Sequence, residues 1–436
     1  MTRTIRSLAP LALLTCCALA AVAAVAAPAA AETVAITGGK VYTVSGPPIE
    51  NGTVVIRDGK IAAVGTGVAV PAGARVVDAA GKWVTPGLFD SASQLGVVEI
   101  SAVPATTESS LEDDRITAAF DVVDGLDPLT TPVAVTRIEG ITRAVVLPEP
   151  GGSLIAGRAA VIHLGGDPVD PMSIVLRPRV AMVAVLGASG ADLSGGARGG
   201  AMLRLREALE DARDFAANRR AWETGERREY ALSRLDLEAL VPVVRGELPL
   251  AVRVDKASDI VSALRLGDEY SLRLMVLGAA DGWMVADRLA KSGVPVVINP
   301  MVNLPDYDRL GATLENAARL HRAGVNVVFG SFDAHNARNL KQAAGNAVSY
   351  GMPWDAALEA VTLAPAKAWG LGDRYGSLEA GKDADVVVWS GDPFELTTNV
   401  ERVFIAGVEV PLESRQLQLF RRYRDLSGPL PPAYRP

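Results

Sequence analysis

Short apolar stretches broken by turn residues form the first regular pattern of the chain, between residues 33 and 77. The stretches are VAITGGKVYTVSG, NGTVVIRDGKIAAVG and GARVVDAAGKWV, and apolar and polar residues alternate in them as they do in strands with one buried face. The pair Asp58-Gly59 lies between two alternating stretches, which is a strong signal for a β-hairpin. We therefore predict a small β-meander in this region.

The middle of the chain has a different pattern, in which nearly continuous apolar stretches alternate with helical segments. Strands that are buried on both faces and separated by helices are typical of a parallel sheet covered by helices. Seven such strands in series predict an α/β fold of the (β/α)8 TIM-barrel type, with the eighth strand unassigned. The seven are WVTPGLFD, RAVVLPE (143–149), RVAMVAVLG (179–187), LAVRVD (250–255), RLMVLGAA (273–280), PVVINP (295–300) and VNVVFGSFD (325–333).

The β pattern returns near the end of the chain, in SLEAGKDADVVVWSGDP and ERVFIAGVEV. Two short β segments cannot each hold a core alone, so we expect them to pair into one composite β-sandwich domain built from N- and C-terminal segments. The predicted units are a signal peptide (1–31), the composite β domain (32–83 and 373–410), the barrel (84–372), and a C-terminal helix and tail (411–436).

The first 31 residues have the pattern of a secretory signal peptide. Arg3 and Arg6 precede a long apolar run that ends in small residues at Ala29 and Ala31. A membrane anchor is the alternative, but the richness in alanine and the small residues at the exit favour cleavage after Ala31. No later run reaches the roughly 18 consecutive apolar residues of a spanning helix. We predict an exported protein, periplasmic or secreted, without a membrane span.

Composition and charge narrow the function further. The chain has 436 residues, of which 49% are hydrophobic and 21% charged, as in globular proteins. Both cysteines, Cys16 and Cys17, lie in the leader, which excludes disulfides, thiolate metal sites and thiol nucleophiles from the mature protein. The net charge of −7 and the lack of a Lys/Arg-rich tract argue against nucleic acid as a partner.

The chain resembles the amidohydrolase superfamily, in the branch with imidazolonepropionase-like and dihydroorotase-like members. The likeness covers nearly the whole mature chain and rests on structural motifs. Near the start these are GGKVYT, ENGTVVIRDGKIAAVG and VTPGLFD, and near the end PWDAALEAVTLAPAKAWGL and RYGSLEAGKDADVVVWSGDP. The resemblance implies hydrolysis of amides or cyclic amides by one or two divalent metals at the C-terminal mouth of the barrel.

The resemblance also implies a ligand set that this chain does not carry. Where the family has an H-x-H pair on its first strand, the chain has Ala92 and Gln94, and Arg253 stands where the fifth strand would carry a histidine. No lysine occurs between Lys82 and Lys256, so the carboxylated lysine of the family has no counterpart. The aspartate of the last strand is retained as Asp333.

The histidine count agrees with this comparison. The chain has three histidines, of which His321 fits a surface helix and His163 a structural position, so His335 is the one expected at the mouth. We predict no cofactor. A zinc site would have to use Asp333, His335, Asp255 and Gln94, beside the positive charge of Arg253. Only His335 could activate a serine nucleophile, and the serines near this end are Ser91, Ser93 and Ser331.

Two functions stay open at this point. The first is a hydrolase of non-peptide C–N bonds with a reduced site, in which Asp333 is catalytic. The second is a catalytically silent barrel that binds a small ligand or a protein partner in the cell envelope. Arg253 either binds a ligand carboxylate or pairs with Asp333. We expect both side chains in one cavity, with Gln94 beside them and His335 and Asp255 as further binding residues.

Overall fold

A computed structural model of the protein describes residues 32–424 and residue 427; the predicted leader (1–31) and most of the extended tail lie outside this range. Strands from both ends of the chain share one sheet, in the order β16-β15-β14-β5-β1-β2-β3 with β4 paired to β1. These strands are β1 (Val34–Val41), β2 (Ile49–Arg57), β3 (Lys60–Gly65), β4 (Arg75–Asp78), β5 (Trp83–Pro86), β14 (Val386–Trp389), β15 (Val400–Ile405) and β16 (Val408–Glu409).

The predicted hairpin joins β2 to β3, which pair antiparallel up to Arg57 and Lys60. Asp58 and Gly59 both have positive φ angles, 51° and 75°, as the tight turn between twisted antiparallel strands requires. β14 pairs with β5, so the two ends of the chain meet in the middle of the sheet. This confirms that a second sheet is built from N- and C-terminal strands.

The second sheet is a nearly closed barrel of eight strands in chain order. A parallel bridge between Ser93 and Asp333 brings the first and last strands of the barrel together. The strands are β6 (Leu88–Ser93), β7 (Ile141–Val146), β8 (Ile155–His163), β9 (Val175–Val185), β10 (Leu250–Val254), β11 (Leu274–Gly278), β12 (Val296–Ile298) and β13 (Val327–Phe329).

The strand that the sequence left unassigned is β8, and it departs from the parallel pattern. β8 pairs antiparallel with both β7 and β9, whereas the other neighbours in the barrel pair parallel. No helix separates β7 from β8, so an antiparallel return is the short connection available. The barrel therefore has seven parallel strands and one antiparallel strand, with His163 at the end opposite the mouth.

Helices cover the outside of the barrel, and their apolar faces pack against the strands. For example, α5 starts at the capping residue Ser233, and its Leu237, Leu240 and Val243 are buried. Within residues 32–424, no helix is both long and apolar enough to cross a membrane. The helices are α1 (Thr131–Arg137), α2 (Pro171–Ile174), α3 (Gly187–Asp192), α4 (Arg198–Glu223), α5 (Arg234–Val244), α6 (Ala257–Tyr270), α7 (Ala286–Ser292), α8 (Asn316–Arg322), α9 (Leu340–Ser349), α10 (Trp354–Ala360), α11 (Leu363–Ala368) and α12 (Arg415–Arg424).

A buried ion pair joins the barrel to the composite sheet. Arg143 of β7 contacts Asp385, which directly precedes β14, with Nε and Oδ2 2.5 Å apart. Its guanidinium also lies over the Tyr375 ring, 3.6 Å from the centroid, and Thr142 donates a hydrogen bond to the same carboxylate. Because these groups are buried, the contact fixes the position of the sheet against this end of the barrel.

Candidate active site at the barrel mouth

The residues predicted for the site lie at the carboxyl ends of the parallel strands, where barrels of this type place their chemistry. Gln94 follows β6, Arg253 is in β10 with Asp255 just after it, and Asp333 and His335 follow β13. The fold therefore brings all five to one end of the barrel. Their contacts separate them into two groups, one around Asp333 and one around Arg253.

The carboxylate of Asp333 is bound by its own loop. Its Oδ1 accepts hydrogen bonds from the backbone N–H groups of His335 (2.7 Å) and Asn336 (3.0 Å). Its Oδ2 accepts one from the side-chain amide of Asn336, at 2.9 Å. Gln94 enters this group through its backbone N–H, which donates to the carbonyl oxygen of Asp333 at 3.3 Å. These hydrogen bonds to Asp333 order the loop, and His335 within it is exposed.

Asp90, inside β6, is a buried carboxyl that the sequence analysis did not select. Its Oδ1 accepts hydrogen bonds from the backbone of Ala92 (3.1 Å) and Ser331 (2.9 Å). Its Oδ2 accepts one from the Ser331 hydroxyl, at 2.5 Å. Burial raises the pKa of Asp90 from its ordinary value of 3.8 to about 7, against the opposite effect of these donors.

Arg253 does not form the predicted pair with Asp333. Its Nη1 lies 2.8 Å from Oε2 of Glu149, which follows β7, and its guanidinium carbon lies 5.6 Å from the centroid of the Phe332 ring. The two predicted partners also line different cavities. The reason is that the Asp333 carboxylate turns back onto its own loop, while Glu149 lies within reach of Arg253.

The cavity beside Arg253 has a volume of about 460 Å³. It is closed on one side by the segment after β12, in which Arg309 Nε lies 3.0 Å from Oδ2 of Asp255. The same segment is held to α4 by an ion pair between Asp308 and Arg198. The charged residues that line the cavity are Glu149, Arg253, Asp255, Asp306, Asp308 and Arg309.

The second cavity at this end, of about 540 Å³, is lined by Ser331 and Asp333 together with amide side chains. Asn299 is one of them, and its amide donates a hydrogen bond to the carbonyl oxygen of Ser331 at 3.2 Å. Ser331, whose hydroxyl is bound to Asp90, thus lines a space of ligand size. The two cavities give the mouth one charged side and one amide-lined side.

The donor set at the mouth does not fit the two-metal site that the resemblance implies. Ala92 is buried and apolar, and Arg253 carries a positive charge at the position expected for a histidine. Between residues 32 and 424, no three His, Cys, Asp or Glu side chains converge as a metal site would need. The expectation that no cofactor is bound stays a prediction.

Several residues of the site gave no recognisable signal in the sequence. Glu149 ends a predicted strand, but nothing local shows that its partner is Arg253. Arg309 and Asp308 lie in a long segment without periodic pattern. Asp90 ends the motif VTPGLFD, and a buried carboxyl could have been suspected there because the stretch before it is apolar.

Comparison with known proteins agrees with the fold. Residues 266–410 match the family described as "Amidohydrolase family". A crystal structure of an amidohydrolase from Thermotoga maritima MSB8 has a TM-score of 0.79 and 26% sequence identity, covering 87% of this chain and 99% of that one. Molinate hydrolase, with 19% identity and a TM-score of 0.56 over 93% of this chain and 98% of that one, shares the fold.

Two curated relatives extend the likeness along the chain. Imidazolonepropionase of Mesorhizobium japonicum is 25% identical over 421 residues, which cover 84% of this chain and 91% of the relative. Amidohydrolase tasK of Hapsidospora irregularis is 26% identical over 387 residues, which cover 82% of this chain and 39% of tasK. The chain therefore spans about two-fifths of the length of tasK. Together with the family match and the solved structures, these relatives support the assignment of the chain to the amidohydrolase superfamily.

Proposed function

We propose that the protein binds a small zwitterionic molecule, such as an amino acid or a short peptide, in the charged cavity of the barrel mouth. Binding through side chains takes the place of the metal-assisted hydrolysis that is general in this family. The proposal rests on the geometry of Arg253 and Arg309.

The observation that carries the proposal is that two guanidinium groups face one cavity and are only partly engaged. Arg253 gives Nη1 to Glu149, whereas Arg309 gives Nε to both Asp255 and Asp306. The two arginine side chains remain about one-third exposed, 33% and 35%. A guanidinium group has five N–H donors in a planar fork, which suits a carboxylate. The ion pair at one nitrogen keeps the rest of each guanidinium group oriented toward the cavity.

The acidic residues of the cavity indicate which chemical group the other end of the ligand carries. Glu149 and Asp306 line the same space as the two arginines, and Asp306 is 54% exposed. A purely anionic ligand would be repelled by these carboxylates, whereas an ammonium group would be attracted. Cavities that bury small molecules range over about 300–1,000 Å³, and this one lies in that range at about 460 Å³.

Calorimetric titration of the mature protein with a panel of amino acids and dipeptides tests the proposal. Each binder is compared with its C-terminal amide and its N-acetyl derivative, and each modified form should bind at least about tenfold more weakly. Arg253→Ala should abolish binding while the fold is kept, and Arg245→Ala, at an exposed position, is the matched control. Binding that survives Arg253→Ala, or a panel without a single binder, would disprove the proposal.

A second candidate function is hydrolysis of a non-peptide C–N bond, in an amide or cyclic amide, as the names of the relatives suggest. It is favoured by Asp90, because a pKa of about 7 suits a proton acceptor at neutral pH. Asp90 receives a hydrogen bond from the hydroxyl of Ser331, a residue that lines the amide-lined cavity. Mass spectrometry of N-acyl amino acids and cyclic amides incubated with the protein tests this. Turnover lost in Ser331→Ala but kept in Ser349→Ala would support it.

We also propose that the protein is exported, after cleavage behind Ala31. The support is the sequence pattern alone, since residues 1–31 lie outside the described range. The mass of the protein recovered from the cell envelope or medium gives the mature N-terminus. An intact residue 1, or a lipid on Cys17, would contradict this part of the proposal.

A further inference from the structure

A second cavity suited to a ligand lies at the end of the barrel opposite the mouth. It has a volume of about 770 Å³ and is lined by Tyr42, Trp83 and Trp354, among others. Trp83 is the first residue of β5, and Trp354 is the first residue of α10. His321, near the end of α8, also lines the cavity. We call it the aromatic cavity. Its walls come from the composite sheet and from the barrel helices, and none of its residues belongs to the mouth.

The three rings pack against one another as a cluster, at interplanar angles of 31°, 46° and 74°. The centroid of the Tyr42 ring lies 4.7 Å from that of Trp83 and 4.7 Å from that of Trp354. The centroids of the two tryptophan rings are 5.5 Å apart. Rings in mutual contact at these distances hold one another in place, so the cluster is present before any ligand arrives.

The charged side chains that line this cavity are acidic, while the ammonium group of Lys40 lies beside the rings. Asp355, Glu359 and Asp392 line the aromatic cavity, and the lining contains no lysine or arginine. Asp392 is oriented by the indole N–H of Trp354, which donates to its Oδ1 at 3.1 Å. Asp355 is exposed, and Glu359 has Lys367 at 3.4 Å. The cavity thus combines π-faces with carboxylates that attract a positive charge.

The chain itself shows that these rings accept a cation. The ammonium group of Lys40 lies 5.3 Å from the centroid of the Trp83 ring and 5.5 Å from that of Tyr42, within the range of cation–π attraction. Glu50 pairs with the same ammonium group at 3.1 Å. An aromatic face with a nearby carboxylate is therefore already used once, by a side chain of the protein.

We infer that the aromatic cavity binds a small organic cation with an apolar body, of the quaternary ammonium type. Aromatic rings recognise such ions through their negative faces while the methyl groups stay in apolar contact. A hard metal ion would instead need several oxygen ligands around one point. This site is independent of the ligand proposed for the mouth.

The experiment compares choline with 3,3-dimethylbutan-1-ol, which has the same shape and no charge, by calorimetric titration of the mature protein. Choline should bind about tenfold more tightly, because cation–π attraction at a partly desolvated site is worth that factor or more. Asp355→Asn should weaken choline binding about fivefold. Asp373→Asn, at another exposed aspartate, should leave the affinity for choline unchanged.

Three results would overturn the inference. Equal affinity for the two probes would mean that the cavity selects apolar shape and not charge. An affinity for choline that is the same in Asp355→Asn would place the bound cation elsewhere, and the absence of binding by either probe would exclude the site. Trp83→Phe serves as a second variant: it keeps a ring and the fold while removing the larger π-face, and should weaken choline binding about threefold.

Discussion

Each end of the barrel carries an arginine from an inward-facing strand position, paired with an acid from a different segment, but the two pairs differ in burial. At the sheet end, Arg143 and Asp385 are 2% and 6% exposed. At the mouth, Arg253 and Glu149 are 33% and 25% exposed. The same pair of groups is therefore enclosed at one end and open to a cavity at the other.

The difference in burial determines what each ion pair can do. A fully buried guanidinium depends on its partner, because water cannot replace the lost charge. A half-exposed pair gains little stability, because solvent screens it, and its free N–H groups can bind a ligand. Arg143 therefore joins two parts of the fold, whereas Arg253 is the arginine that we propose binds a ligand.

Removing the acid at the closed end should give the largest effect. Asp385→Asn leaves Arg143 buried without its counter-charge and should lower the free energy of unfolding by about 3–5 kcal/mol. Urea unfolding followed by circular dichroism measures this. The matched change at the mouth, Glu149→Gln, should cost about 1 kcal/mol or less. Equal losses in the two variants would break the comparison.

The second prediction concerns the pH dependence caused by Asp90. Because its pKa is raised to about 7, the folded state holds a proton that the unfolded state releases near pH 4. This contribution to stability is full below pH 4 and is lost as the pH rises through about 7. Between these pH limits, the free energy of unfolding of the wild type should therefore fall by about 2–4 kcal/mol relative to that of Asp90→Asn.

Asparagine is the right comparison at this position because its amide can replace the carboxyl group. The amide oxygen can accept from the backbone of Ala92 and Ser331, and the amide N–H can donate to the Ser331 hydroxyl. That hydroxyl can turn to the carbonyl oxygen of Ala92, 3.2 Å away. Unfolding curves of both proteins from pH 4 to pH 8 give the difference. A constant difference across this range would show that Asp90 ionises normally.

A smaller effect is expected for Arg253→Ala, measured as stability and not as binding. The loss should be about 1 kcal/mol, since the pair with Glu149 is partly exposed. Chemical unfolding of this variant beside Arg143→Ala tests the difference between the two ends directly. A loss of 3 kcal/mol or more would mean that Arg253 is a structural residue, contrary to its proposed role in binding.

Local patterns predicted the parts of the fold that depend on local physics. The Asp58-Gly59 hairpin, the sheet built from both ends and seven barrel strands followed from alternation, turn residues and apolar runs. β8 was missed because it follows β7 without a helix, and its pairing is irregular around Gly157. A rule of alternating strands and helices has no place for such a strand.

The candidate site was predictable only in part. The ends of the predicted strands indicated Arg253 and Asp333 as site residues, and both lie at the mouth. Their partners could not be predicted, because Glu149 is 104 residues from Arg253 in the chain and Arg309 lies in a segment with no periodic pattern. Which acid an arginine meets is decided by the packing of distant loops, and a one-dimensional pattern does not contain that information.

The smallest effect is expected from removing metal ions. A metal bound only to the native state would stabilise it by RT ln(1 + [L]/Kd), about 4 kcal/mol at a thousandfold excess over Kd. The mouth offers Ala92 and Gln94 in place of two histidines, and its open side is held by ion pairs such as Arg309 with Asp255. Strong chelators should therefore leave the melting temperature of the mature, untagged protein unchanged, as measured by scanning calorimetry. A drop of several degrees, together with stoichiometric zinc by elemental analysis, would show that the mouth is a metal site after all. The difference between the mouth and the closed end would then be due to a metal and not to solvent exposure.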